Sequence, residues 1–196
     1  MASDSFGHYV AKLVSVVESG HASDRAGADI AIGDAVERMG RLMHAAHQAE
    51  RRVFFVGNGG SAGICSHMAT DYSKNGSIRS LALNDGSVLT CLGNDYGYEH
   101  VFSKQLDWHA AAGDVVVTIS SSGRSQNILN AANMARDKGC TVFTLSGFKP
   151  DNPLRLLGDI NIYLANLEYG FVEVGHLAVL HAVLDIHLGW QKASAA

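Results

Sequence analysis

The chain has 196 residues, 47 % of them hydrophobic and 17 % charged, with a formal net charge of −4. That length fits one domain, or one domain with a helical extension, and the composition is that of an ordinary soluble globular protein. The acidic balance argues against nucleic-acid binding by bulk electrostatics, and no run of five like charges occurs.

The N-terminal quarter reads as helical. Tyr9, Leu13, Val16 and Val17 recur at helical spacing, and after a polar, Gly- and Ser-containing passage (20–29) the period resumes with Ile30, Val36, Met39, Leu42, Met43 and Ala46. Two helices before any strand predict a helical arm over residues 1–50, of a kind that commonly buries its apolar side on a second subunit. Met1-Ala2-Ser3-Asp4 lacks the basic-then-apolar pattern of a signal peptide, and no apolar run reaches the ~18 residues of a membrane helix. Cys65, Cys91 and Cys140 are odd in number and widely spaced, as expected of thiols in a reduced, cytoplasmic protein.

The apolar run Val53–Val56 stops at Gly57-Asn58-Gly59-Gly60-Ser61, and a helix-compatible segment follows. This is a buried strand, a tight turn and a helix start, with Ser61 as the expected N-cap. Glycines permit close approach of a ligand, and the free N–H groups of a helix start favour an anion. The spacing fails as a dinucleotide fingerprint, because Gly63 comes one residue too late, and the turn has no lysine for an ATP-type loop.

Ser80–Leu83 reads as a short strand ending in Asn84-Asp85-Gly86, Val88–Leu92 as apolar, Gly93–Gly97 as a loop, and Val101–His109 as a helix. Asp114–Ile119 is a second buried strand that runs into Ser120-Ser121-Ser122-Gly123-Arg124-Ser125 and a helix over Gln126–Lys138. That turn offers four hydroxyls and a helix start capped by Ser125, an arrangement that suits a phosphate without a cation. A nucleophile elbow is excluded, because Ile119 stands two before Ser121. Thr141–Leu145 and Ile160–Leu164 are further strands, and Phe171–Leu188 a long apolar closing helix. Strands alternating with helices predict a three-layer α/β domain over residues 51–196, its parallel sheet covered on both faces.

His67 and Asp71 lie four apart and so share a helix face, able to hold a metal or to act as an acid–base pair. Glu173, His176, His181, Asp185 and His187 are titratable groups in an otherwise apolar helix, and on a buried face such groups need partners. Eight residues of helix rise ~12 Å, so Glu173 and His181 cannot reach one metal from the same straight helix.

The turns G-N-G-G-S and I-S-S-S-G-R-S, with G-N-D-Y-G between them, resemble the sugar isomerase (SIS) family, and within it the phosphoheptose isomerases. The resemblance covers about Val53 to Leu184. It implies an aldose–ketose isomerase working through an enediol on a sugar phosphate, with sedoheptulose 7-phosphate as the expected substrate. A non-catalytic phosphosugar-binding adaptor, or an isomerase of another phosphosugar, is the alternative within the fold. By resemblance, Asn58, Gly59, Gly60, Ser61, Asn94 and Asp95 bind substrate, and Ser120, Ser121, Ser122 and Ser125 hold the phosphate. A divalent metal, zinc in the family, is implied on His67, Asp71, Glu173 and His181, with Asp71, Glu173 and His181 as the catalytic groups. Asp71 stands where the family has glutamate and Glu173 where it has glutamine. The family's tetramers imply sites shared between subunits.

Overall fold

A computed structural model describes residues 4–188. Met1–Ser3, part of the segment read as lacking a signal peptide, and 189–196, the end of the second predicted unit, lie outside the described residues. Seven strands form one sheet: β1 (His21–Asp24), β2 (Asp29–Ile30), β3 (Val53–Gly57), β4 (Ser80–Ala82), β5 (Val115–Ser120), β6 (Thr141–Ser146) and β7 (Ile160–Tyr163). Their order is β2-β1-β7-β6-β5-β3-β4. The five strands from β3 onward are parallel to one another, as predicted; β1 runs antiparallel to both β7 and β2.

This pair corrects the expectation of a purely helical arm. The passage 20–29 forms a hairpin in which Asp24 Oδ1 accepts from the N–H groups of Ala26 and Ala28, each at 2.9 Å. His21–Asp24 then adds to the free edge of β7. The sequence HASD carries no alternating β-branched signal, since the main-chain ladder to β7 forms the strand.

Seven helices cover the sheet: α1 (Ser5–Glu18), α2 (Ile32–Gln48), α3 (Gly60–Lys74), α4 (Gly86–Tyr96), α5 (Ser103–His109), α6 (Gln126–Asp137) and α7 (Tyr169–His187). Period-two alternation along the strands sorts two cores. Val53, Phe55, Val115 and Val117 pack under α2, α3 and α7, whereas Phe54, Val56, Val116 and Val142 pack under α4, α5 and α6. Each buried large side chain contributes roughly 1.5–3 kcal/mol, so these two layers dominate the stability of the domain. By length and composition α7 reaches what a bilayer crossing needs, with mean hydropathy 1.3, although Glu173, His176, His181 and Asp185 interrupt it and no unbroken apolar run of ~18 residues occurs. Its apolarity follows from contact with α1, α2, α3 and β6, which makes it a core helix.

The chain steps from β3 outward to β4 on one side and through β5 and β6 on the other. The β3/β5 boundary is therefore where strand order reverses, and ligands of open α/β sheets bind in the crevice at the carboxyl ends of such strands.

Candidate functional site

A cavity of about 230 Å³ opens at that crevice. Asn58, Gly59, Gly60 and Ser61 line one wall, Ser120, Ser121, Ser122 and Ser125 the other, with Ile119, Tyr169 and Glu173 completing it. The ladder between β3 and β5 ends at Gly57 opposite Ile119, so the two turns leave adjacent strands side by side. Ten of the predicted substrate-binding residues were named from the sequence, and eight of them meet here.

Local chemistry explains the turns. The N-cap of α3 is Gly59, at φ +54°, not Ser61, which lies within the first turn and is buried. A left-handed cap is a glycine position, and it leaves the first N–H groups of α3 without a side-chain partner. At α6 the N-cap is Ser125, as expected, and its hydroxyl makes no capping bond. Ser120 Oγ donates to Ser125 Oγ at 3.4 Å and accepts from Gly123 N–H at 3.2 Å. Ser121 Oγ is buried and has no hydrogen-bond partner. A buried hydroxyl left unmatched costs about 1–3 kcal/mol, which an incoming anion oxygen would relieve. No lysine or arginine lines the cavity. Arg124, the nearest cation in sequence, instead binds Asp151 at 2.9 Å and holds that carboxyl below its ordinary range.

Glu173 enters the cavity from the first turns of α7. A Cβ on Gly60 would stand 2.5 Å from its carboxylate oxygens, so glycine at that position lets the carboxylate lie against the start of α3. The helix dipole favours a negative charge there.

The remaining predicted groups assemble elsewhere. His67 Nε2 lies 3.2 Å from His181 Nε2 and 3.5 Å from Asp71 Oδ2, and the three ligand atoms fall within 4.8 Å of one another. Four ligands at zinc's usual ~2.0–2.1 Å stand about 3.3 Å apart in a tetrahedron, so this trio fits a tetrahedral divalent metal with one position open. Glu173 is not part of it. His67 and Asp71 are seven and eleven residues beyond Gly60 on α3, a rise of about 10–16 Å along the helix from the cavity. Within one chain the trio and the cavity are separate.

Asn94 and Asp95 do not reach the cavity of their own chain. The segment read as a loop is the last turn of α4, which starts with Asp85 Oδ1 accepting from Val88 N–H and ends at Gly97, φ +85°. Both side chains are exposed, and Asn94 Nδ2 donates to Asp95 Oδ1. Sequence reading missed Tyr169, which lines the cavity, and Asn127, whose carboxamide bonds to that of Asn58. It had no local signal for either. His176 is fully buried; its Nε2 donates to the Ser146 carbonyl at 3.0 Å, and burial pushes its pKa down to about 4.

The SIS domain profile matches residues 30–147. A phosphoheptose isomerase from Citrifermentans bemidjiense is 34 % identical over 161 residues, covering 79 % of this chain and 83 % of its own. One from Helicobacter hepaticus is 38 % identical over 141 residues, 69 % of this chain and 71 % of its own. The solved structure of a phosphoheptose isomerase from Neisseria gonorrhoeae superposes with a TM-score of 0.81 at 26 % identity, covering 95 % of this chain and 99 % of that one.

Proposed function

This chain belongs to the SIS domain family, and from that premise we propose that it is an aldose–ketose isomerase that interconverts sedoheptulose 7-phosphate and D-glycero-D-manno-heptose 7-phosphate. The observation that carries this reading is the cavity between β3 and β5, where an anion cradle of serines and helix starts faces a carboxylate, Glu173. The named relatives support the choice of sugar.

The Ser120–Ser125 turn and the start of α6 hold the phosphate, with the Ser121 hydroxyl supplying a bond that it lacks in the free protein. Anchoring the dianion fixes the far end of an open-chain sugar and brings C1 and C2 to the opposite end of the cavity. A carboxylate takes the C1 proton of the ketose while the C2 carbonyl oxygen gains a proton from His181, giving the 1,2-enediol. Returning the carbon-bound proton to C2 and removing the proton of the C1 hydroxyl yields the aldose, with no net change in atoms or electrons. Glu173 is the carboxylate at the cavity of its own chain; Asp71 and His181 reach a cavity only in a second copy. The separation of about 10–16 Å along α3 supports sites shared between subunits, and the resemblance to the family gives the assembly as a homotetramer. His67, Asp71 and His181 would hold a divalent metal, zinc by its donor set, and Glu173 of another copy would close the set. Bound there, the metal supplies Lewis-acid polarisation of the carbonyl. Asn94 and Asp95, substrate-binding by resemblance, are exposed on α4 and outside the cavity of their own chain, and so are assigned to the substrate of a neighbouring subunit. Three free thiols support a cytoplasmic location.

Incubation with sedoheptulose 7-phosphate beside a panel of ketose phosphates, with product analysis, tests the reading. Formation of the heptose aldose is expected, and turnover of another phosphosugar alone would overturn the choice of substrate. Light scattering with the assay tests the assembly: a fully active monomer refutes shared sites.

A further inference from the structure

The Asn58 side chain, expected to face substrate, is engaged at both polar ends. Its Nδ2 donates to Asn127 Oδ1 at 2.9 Å, and Asn127 Nδ2 donates back to Asn58 Oδ1 at 2.9 Å. The Tyr98 hydroxyl donates to the same Asn58 oxygen at 3.2 Å. Asn58 belongs to the turn after β3, Asn127 to the first turn of α6, and Tyr98 to a short 3-10 turn, Tyr98–His100. That turn is itself tied to α6, because Asn130 Nδ2 donates to the Glu99 carbonyl at 2.8 Å.

These bonds lie where the sheet no longer helps. The β3/β5 ladder stops at Gly57 and Ile119, and past that point the chain runs through turns rich in glycine and serine, of which the glycines have high backbone freedom. Two carboxamides bonded head to tail bridge the turns just beyond the last strand pair. Asn127 is 3 % exposed, so its polar atoms have little access to water and the pair must be kept intact. A neutral pair also adds no charge beside the phosphate, whereas an ion pair would compete with it. Asn58 Nδ2 keeps one hydrogen free for a ligand.

We propose that Asn127 is a positioning residue: with Tyr98 it clasps Asn58 and so sets the gap between the two turns that a sugar phosphate spans. The proposal deepens the sugar-phosphate reading of the cavity and rests on it. Asn127 does not line the cavity, so its loss is expected to weaken binding of substrate and transition state alike.

The test is Asn127→Leu, a substitution of similar size without polar atoms, read in steady-state kinetics and in the rise of the thermal midpoint with inorganic phosphate. KM is expected to rise about tenfold, the effect of one to two buried hydrogen bonds, with kcat within about threefold of wild type. The phosphate-induced rise in midpoint is expected to shrink. Tyr98→Phe, at a site 57 % exposed where folding is not at stake, is expected to raise KM about twofold to fivefold. It is expected to add little on top of Asn127→Leu, because Tyr98 acts only through Asn58. If Asn127→Leu does not fold, Tyr98→Phe decides alone. Wild-type KM and phosphate shift in the folded variants, or a collapse of kcat with KM unchanged, overturns the clasp. Absence of a phosphate shift in the wild-type protein overturns the cradle itself, whichever sugar is turned over.

Discussion

Replacing Gly123 by alanine tests the cradle where its geometry is most constrained. Gly123 sits at φ +61°, its N–H donates to the Ser120 carbonyl at 3.0 Å, and its carbonyl accepts from Leu154 N–H at 3.3 Å. An added Cβ would fall on the Asn152 side chain, deep inside van der Waals contact with Oδ1 and Cγ. Asn152 cannot withdraw: it is 2 % exposed, and its Nδ2 donates to Ser146 Oγ at 3.3 Å, the Gly147 carbonyl at 3.1 Å and the Lys149 carbonyl at 3.0 Å. A left-handed backbone costs alanine roughly 1–2 kcal/mol, and overpacking against a held side chain about 1–3 kcal/mol more. Together these predict a loss of about 2–5 kcal/mol unless the turn shifts, in which case the loss appears in phosphate binding. Urea denaturation with and without inorganic phosphate reads both. Asn152→Ala in the Gly123→Ala background relieves the contacts with Oδ1 and Cγ but keeps Cβ at 2.8 Å and gives up the hydrogen bonds of Asn152, so it should not restore wild-type stability. A Gly123→Ala protein with wild-type midpoint and wild-type phosphate response would refute the argument.

Burial holds His176 neutral, with its pKa down at about 4. The unfolded chain takes up this proton below about pH 6.5 and the folded chain only below about 4, so stability is complete above pH 6.5 and falls as the pH drops towards 4. The full effect is about 3 kcal/mol, and urea midpoints from pH 7 to 4 should lose that part of their slope in His176→Gln; an unchanged slope would place the titration elsewhere. Ser121→Ala removes a buried hydroxyl that has no partner, so the ligand-free protein should be unchanged or up to about 1 kcal/mol more stable, while KM rises about tenfold. A stability loss with normal KM would make Ser121 structural. His181→Ala should take bound zinc, measured by elemental analysis, from one per chain to nearly none and cut turnover at least ~100-fold in a folded protein; retained zinc would remove His181 from the ligand set.

What could be read in advance was what the chain encodes locally. The strands β3 and β5 are continuous apolar runs buried on both faces, and each is followed within six residues by its own turn and helix start. The two strand–turn–helix units were therefore legible, with Ser125 as the cap of α6, whereas the cap of α3 is Gly59 and not Ser61. The start and end of α4 were also present as signals, Asp85 and Gly97, but Gly93, Asn94 and Asp95 have low helix propensity and were read as a loop; capping and the contacts of α4 with the adjacent turn outweigh them. The β1/β2 hairpin was not legible, because its strand character comes from the open edge of β7, more than 130 residues later. The same limit divides the site. His67 and Asp71 announce themselves by one helical turn, yet His181 joins them across 114 residues, and the clasp joins Asn58 to Asn127 across 69. Helical rise alone separated Glu173 from His181, and the structure adds where each goes: one to the cavity between β3 and β5, the other to the cluster with His67 and Asp71. His67 and Asp71 lie about 10–16 Å along α3 from Gly60, and His181 about 12 Å along α7 from Glu173, farther than side-chain rotation in one chain closes. The proposed reaction, which draws on both places, therefore takes them from two copies of the chain, and the assembly measurement tests that requirement together with the roles assigned by resemblance.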